Sequence, residues 1–444
     1  MTVKIGMVSL GCPKNTVDSE VMLGILRRYG YIITARKEEA DVLVVNTCAF
    51  IRDAKEESIQ AILEMALQKK KGKCRALIVA GCLAQRYPQE LMREMPEIDG
   101  LVGTGQINNI GKIVQMVLRG EKVKLVGDPG FLPYAGIGRL RVTKSYSAYL
   151  KISEGCNNRC SYCVIPSIRG AYKSRRLEDI CAEAELMVEE GVKELILVAQ
   201  DTTYYGLDIY KKPSLPFLLR KLAGIKNLVW LRLMYTYPSL VDDLLIEVMA
   251  SEKKICRYID IPLQHASSAV LKRMNRFFGR KEALYLIDKL RNAVPEIALR
   301  TTFIVGFPGE TDEDFNELLS FLEGVRFERV GVFMYSAEEG TPAAGMPGQV
   351  PEELKFERWQ KAMELQKKIS LENNKKKIGK TIKVIVEGKI RGKKGLYLGR
   401  SEWDAPEVDG VVNISSPRDL RPGEFIEVRV SDAGEYDLSG VLVE

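Results

Sequence analysis

The feature that most restricts this 444-residue sequence is an alternation of short β-rich runs with helical stretches, and it occurs twice. In the first block the predicted strands are 3–10 ("VKIGMVSL"), 40–47 ("ADVLVVNT") and 75–81 ("RALIVAG"), and the predicted helices are 18–30, 55–72 and 87–96. Asp18 or Ser19 is the expected N-cap of the first helix, with Gly30 closing it. A β-α-β order returns each strand to the sheet in the same direction, so the sheet is parallel and its faces carry the helices. Residues 1–126 are therefore read as an open parallel-sheet domain.

Residues 127–144, with "GDPGFLPYAGIGR", are rich in Gly and Pro and read as a linker. The second alternation fills 145–350, with strands expected at 148–153, 194–200, 228–235, 258–263, 299–306 and 329–336. Six βα units fall short of the eight of a closed (β/α)8 barrel, which leaves an open, partial (β/α)6 TIM-like barrel. Residues 351–378 read as a charged connecting helix. Residues 379–444 change pattern to short strands punctuated by Gly, Pro and Asp, the mark of a small all-β barrel. The expected class is thus α/β with three folded parts, and the chain is too long for a single core.

No apolar run approaches the roughly 20 residues that span a bilayer. The opening "MTVKIGMVSLGCPKN" reads as a first strand, not as a signal peptide. The expected location is the cytoplasm, with no membrane partner. Disulfides are rare there, so nine cysteines call for metal or redox chemistry. The net charge of +7 permits a nucleic-acid or ribosomal partner without requiring one.

Two sets of cysteines carry chemistry. "EGCNNRCSYCVIP" places Cys156, Cys160 and Cys163 in a C-x3-C-x2-C run just after a predicted strand, at the C-terminal mouth of the barrel. An iron–sulfur cluster normally takes four thiolates, so three leave one iron with an open position, as catalytic metal sites do. The alternatives are a zinc site that borrows the one histidine, His265, or three buried cysteines in a loop. Independently, Cys12, Cys48 and Cys82 each end a predicted parallel strand ("MVSLGC", "VVNTC", "IVAGC"), the edge at which open α/β sheets bind ligands. They read as a second three-thiolate cluster. Cys74, Cys181 and Cys256 lack such placement and read as small buried hydrophobes.

The C-x3-C-x2-C run, with Tyr162 before its last cysteine, is similar to the signature of radical S-adenosylmethionine enzymes over roughly 145–345. That resemblance implies that S-adenosylmethionine fills the open iron position. It also implies cofactor contacts from Gln200 and Asp201 near the methionine end, and from Gly306 and Gly309 near the adenine. With the second trio and the terminal β module, the whole chain resembles the methylthiotransferase family. Such enzymes carry two 4Fe-4S clusters, each held by three cysteines, and insert sulfur and a methyl group at an unactivated C–H bond. "LGCPKNTVDSE" (10–20), "QDTTYYGLD" (200–208) and "GRSEWDAPEVDG" (399–410) resemble the branch that modifies an aspartate of a small-subunit ribosomal protein. The terminal module resembles the TRAM domain.

The resemblance implies a sequence of events. One S-adenosylmethionine methylates sulfur held at the Cys12/Cys48/Cys82 cluster. A second is cleaved at the Cys156/Cys160/Cys163 cluster to a radical that removes hydrogen from the aspartate β-carbon, which then takes the methylthio group. No catalytic residue beyond the six ligands is assigned. The implied partners are the ribosomal protein, free or on the ribosome, and an electron donor. A tRNA adenosine methylthiotransferase on the same scaffold is the alternative, with tRNA the less favoured substrate. In 380–444 ten Lys and Arg face twelve Asp and Glu, and Glu402, Asp404, Glu407 and Asp409 surround Trp403, with Glu387 on a neighbouring strand. A surface of that sign suits a basic protein better than a phosphate backbone, or serves simply as a solvated face.

Overall fold

The computed structural model describes residues 3–129, 132 and 138–443; residues 130, 131 and 133–137 of the expected linker lie outside it. The first sheet holds β1 (Lys4–Ser9), β2 (Ile32–Thr34), β3 (Val42–Thr47), β4 (Ala76–Gly81), β5 (Gly100–Val102) and β6 (Val123–Leu125). Their order is β2-β1-β3-β4-β5-β6 and every pair is parallel. Both faces of β3 are buried: Val42 and Val44 enter one core, Leu43 and Val45 the other. The three-residue strands carry too little apolar sequence to show a period, which is why they escaped the pattern.

The first helix begins earlier than expected, at Pro13, and runs to Arg28. Proline at a first helical position loses an N–H that would be unpaired anyway, and its φ is already helical. Asp18 and Ser19 are consequently not caps; both lie inside the helix and are buried. The helix expected at 87–96 is Pro88–Glu94, started by Pro88, and a separate short helix that the sequence pattern did not mark, Cys82–Arg86, precedes it. At the far end of the expected linker, Arg139 donates to Glu20 of the first helix and to Glu183 (2.8 Å) on the barrel helix Leu177–Glu189.

The second sheet comprises β7 (Ser147–Lys151), β10 (Glu194–Val198), β11 (Trp230–Leu233), β12 (Ile255–Asp260), β13 (Ala298–Val305) and β14 (Arg329–Met334), all parallel and in chain order. Edge strands β7 and β14 do not pair, so the barrel is open. Strand β12 starts three residues before the expected 258, and Pro262, which has no N–H to give, lies beyond its end. Between β7 and β10, the short strands β8 (Ser153–Glu154) and β9 (Lys173–Ser174) pair antiparallel and clamp the loop that carries the C-x3-C-x2-C run. The helix Glu352–Lys375 covers the β14 edge: Trp359 Nε1 donates to Val332 O at 2.9 Å and Gln366 Nε2 to Phe327 O at 2.9 Å.

Strands β15 (Thr381–Lys389), β16 (Leu396–Ser401), β17 (Val412–Ser415), β18 (Phe425–Ala433) and β19 (Leu438–Leu442) close into a barrel in the order β15-β16-β17-β19-β18. Its interior is Val384, Val386, Ile414, Val428 and Val430. The acidic face expected around Trp403 is not free. Asp404 is 2% exposed and accepts from Arg329 Nε at 2.9 Å. Asp409 pairs with Arg300 (3.3 Å) and accepts from Tyr258 Oη (2.9 Å). Glu402 accepts from the Arg257 N–H, and Trp403 itself is buried. Asp404 and Asp409 are the acidic half of an ion-pair interface whose arginines, Arg329 and Arg300, come from the partial barrel. Of the four around Trp403, Glu407 alone is exposed.

Candidate active site

Strands β1, β3 and β4 are neighbours, so the chain leaves the sheet at three adjacent C-terminal ends and delivers Cys12, Cys48 and Cys82 there. Gly11 has φ +84°, and a Cβ on it would stand 2.7 Å from Cys48 Cβ and 3.0 Å from Cys48 Sγ. Glycine is needed for that approach. Asn15 Nδ2 donates to Leu10 O at 2.7 Å and Thr47 O at 3.2 Å, tying the β1 and β3 exits together. Ser58 Oγ accepts from Cys48 N (3.0 Å) and donates to Cys48 O (2.8 Å). Thr47 Oγ1 accepts from Leu83 N at 3.2 Å and fixes the start of the helix that opens with Cys82.

The three thiols share a field. Burial pushes the Cys82 thiol up to about 11, with charge on Cys48 or Cys12 adding to the rise and Arg169 opposing it. Burial likewise raises Cys48. At Cys12 desolvation acts the same way, but Lys14 and Arg169, with backbone N–H groups at the helix start, outweigh it and lower the pKa.

The second trio hangs from the β8/β9 clamp. Gly155, at φ +76°, passes so close to Ala171 O that a Cβ would lie 2.2 Å from it. Cys156 N donates to Gly170 O (3.1 Å) and Cys163 N to Cys160 O (3.1 Å). Ser161 Oγ donates to Arg273 O at 2.7 Å, and Tyr162 meets Phe307 edge to face with centroids 6.4 Å apart. Phe307 lies between Gly306 and Gly309, which brings that turn beside the cysteine loop. Gly306 itself is required by Lys355, whose Cγ would be 2.2 Å from a Cβ there. Asn158 Nδ2 donates to Asp201 Oδ2 at 2.9 Å, and Gln200 Nε2 to Glu154 Oε1 at 2.7 Å. Gln200 Oε1 is a buried acceptor without a hydrogen-bond partner among the described residues. Burial raises Cys156 to about 11 and Cys163 to about 12.

Several residues that the pattern of the sequence left unmarked join the two trios. Arg169 follows the cysteine loop on the helix Ile165–Arg169, yet its Nη2 reaches Cys82 Sγ of the first trio at 3.3 Å and Asn15 Oδ1 at 3.0 Å. Its Nη1 donates to Asp18 (2.5 Å) and Glu154 (3.3 Å). Lys151 Nζ donates to the same two carboxylates, at 2.6 Å for Asp18. Arg276 plays the matching part at the second trio, with Nη1 3.6 Å from Cys160 Sγ and Nη2 donating to Pro262 O at 2.6 Å. Lys14, two residues past Cys12, sits 3.4 Å from the ring centroid of Tyr235 at the exit of β11. An arginine in a chain with 66 Lys and Arg offers no local signal of such a role.

The remaining cysteines stand apart. Cys74 Sγ donates to Ala76 O, Cys181 is on the helix Leu177–Glu189 and Cys256 is buried in β12. His265 does not complete a zinc site: its Nδ1 accepts from Ser267 N at 3.0 Å and its Nε2 lies 3.6 Å from Glu310 Oε2. Among the described residues no three His, Cys, Asp or Glu converge closely enough for one metal ion. Cluster thiolates bind separate irons and stand farther apart than the ligands of a single ion.

Three family models match the chain: an uncharacterised protein family (UPF0004) over residues 4–103, the radical SAM superfamily over 150–322 and the TRAM domain over 378–443. A protein of Pelotomaculum thermopropionicum named ribosomal protein uS12 methylthiotransferase RimO is 61% identical over 443 residues, covering 100% of both chains. Proteins of the same name from Desulforamulus reducens and Geobacter sulfurreducens are 53% and 49% identical over 441 residues each; 99% of this chain is covered in both, with 99% and 98% of theirs. This chain belongs to the RimO family. It is a radical S-adenosylmethionine methylthiotransferase, and the cofactors of the RimO family are S-adenosylmethionine and two 4Fe-4S clusters. Among solved structures, the radical S-adenosylmethionine methyltransferase TsrM of Kitasatospora setae shares the fold, with TM-score 0.56 at 14% identity over 92% of this chain and 82% of that one.

Proposed function

We propose that Cys12, Cys48 and Cys82 hold one 4Fe-4S cluster and Cys156, Cys160 and Cys163 the other. We further propose that the enzyme methylthiolates the β-carbon of an aspartate in ribosomal protein uS12, free or on the ribosome. The observation that carries this reading is the meeting of two thiol trios, each one ligand short of four, at the junction of the parallel sheet and the partial barrel. The donor set suits the clusters: six sulfurs in two groups, no fourth thiol beside either, and one guanidinium within reach of a sulfur in each.

When bound, the clusters and S-adenosylmethionine supply the hydrogen-abstracting radical and the methylated sulfur; the chain supplies placement. Arg169 and Arg276 each donate to a thiolate and offset its buried charge. Asp201 holds Asn158 and with it the cysteine loop. Gln200, anchored through its amide to Glu154, keeps a carbonyl oxygen for the ammonium of S-adenosylmethionine. The turn Gly306–Gly309 lets backbone approach the adenine end.

The uS12 assignment is drawn from relatives of essentially full length. The tRNA alternative gains no support from them, since each carries the ribosomal-protein name. A ribosomal substrate implies the cytoplasm, and no helix among the described residues is long and apolar enough to cross a membrane. An electron donor is a further partner. Mass spectrometry of uS12 and of tRNA from cells with and without the gene tests the reading. Loss of the methylthio group from uS12 is expected; loss from tRNA with uS12 unchanged overturns it.

A further inference from the structure

We propose that Lys14 recognises the substrate, its ammonium pairing with the side-chain carboxylate of the target aspartate and so setting the position of the adjacent β-carbon. This rests on the protein-aspartate reading above.

A carboxylate that approaches two iron–sulfur clusters ligated by six thiolates enters a strongly anionic space. Without a cation it would be repelled and poorly solvated. Among the described residues, cations near the junction of the two trios include Lys14, Lys151, Arg169, Arg276 and Arg300. The last four are committed. Lys151 and Arg169 both bind Asp18 and Glu154, and Arg169 also reaches Cys82. Arg276 is held by Pro262 O and Cys160. Arg300 pairs with Asp260 (2.9 Å) and Asp409 (3.3 Å).

Lys14 differs from all of these. Among the described residues no carboxylate pairs with it; its side-chain partners are Tyr235, 3.4 Å away at the ring centroid, and the Cys12 thiol. An ammonium has three donors, and Tyr235 and Cys12 take two at most, so hydrogen-bonding capacity is left over. The location is also costly for a resident cation. Lys14 occupies the first turn of the helix Pro13–Arg28, which has no acid in that turn. A positive charge there opposes the helix dipole. The cost is recovered when an anion arrives beside the ammonium. The site spans the two halves, with Lys14 beside Cys12 and Tyr235 at the exit of β11 in the partial barrel. A carboxylate held there has the first trio on one side and the barrel mouth on the other.

The chemistry predicts a preference for a carboxylate over the amide of the same shape. The test uses the reconstituted full-length enzyme with uS12 and with a uS12 variant whose target aspartate is replaced by asparagine. Binding constants are measured alongside KM and kcat for methylthio transfer, at matched iron content. The wild-type enzyme should bind the aspartate form roughly ten- to a hundredfold more tightly, the scale of a charge-assisted hydrogen bond. Lys14→Met should abolish that preference and raise KM for the aspartate form, and Lys14→Arg should keep most of the preference. Equal binding of the two forms by the wild-type enzyme overturns the proposal without any variant. So does an unchanged preference in Lys14→Met, or a loss of affinity that is equal for both forms. Wild-type enzyme that modifies tRNA and leaves uS12 untouched fails the substrate reading instead, and takes this inference with it.

Discussion

At the scale of single residues, the structure places the six sulfurs at the strand ends and in the loop that their spacing marked, and surrounds them with charges that no pattern marked. Cysteine is informative because its placement is rare: three at consecutive strand ends, and three at a fixed short spacing. Arg169 is one of many basic residues and gains its meaning only when the fold carries the end of the cysteine loop back to Cys82. Asp18 shows the converse. Its type and position suggested a cap, but Pro13 starts the helix a turn earlier and leaves Asp18 facing Lys151 and Arg169. Arg169 is 2% exposed, so its removal leaves carboxylates buried with half their compensation. Arg169→Met should therefore cost about 3 kcal/mol, the low end for breaking a buried pair because Lys151 stays in place. Chemical denaturation of the iron-free chain measures it, and a loss below a few tenths would show that the network contributes nothing.

At the scale of elements, strands with long apolar runs were found nearly where they lie, because burial on both faces leaves no polar interruption. The misplaced one, β12, was read too late because "YIDIPL" looks more strand-like than the polar "KICR" before it, although Pro262 cannot take part in the ladder. The β8/β9 clamp has two residues a side and no pattern of its own. It nevertheless sets the geometry of the C-x3-C-x2-C loop, through Gly155 and its contact with Ala171 O. Gly155→Ala meets both a positive φ and a 2.2 Å collision with backbone that cannot step aside. The expected result is loss of iron from the second trio and of 5′-deoxyadenosine formation, with the iron of the first trio retained. Full cleavage of S-adenosylmethionine by this variant would show that the clamp does not position the loop.

At the scale of the whole molecule, the three folded parts were visible as changes of period, but their docking was not. Charge counts in residues 380–444 gave the right sum but not its direction, since Asp404 and Asp409 beside Trp403 face inward to Arg329 and Arg300. A second joint has the opposite polarity. Glu194 of β10, fully buried, accepts from Arg400 of β16 and from Arg232 of β11. Burial alone would raise this carboxyl, but Arg400 and Arg232 hold it down at about 2. The folded value lies below the ordinary unfolded one of about 4.3. Its contribution is therefore present above about pH 4.5 and is lost as pH falls toward 2. Thermal unfolding followed between pH 7 and 3 should show that decline. Glu194→Gln, which strands two buried guanidinium groups, should flatten it and lower stability at neutral pH by about 3–5 kcal/mol. An unchanged pH profile in the variant would remove Glu194 from the account.

The stretch from Cys156 to Arg169 touches both thiol trios at once: it carries the three cysteines of one, and its last residue reaches Cys82 of the other. Order in that stretch is common property. Disorder in the cysteine loop should therefore reach Arg169 and loosen its hold on Cys82, and order restored on one side should favour order on the other, since such coupling is reciprocal. Under the proposed assignment each cluster can be loaded alone, but each would be held more firmly with its neighbour in place.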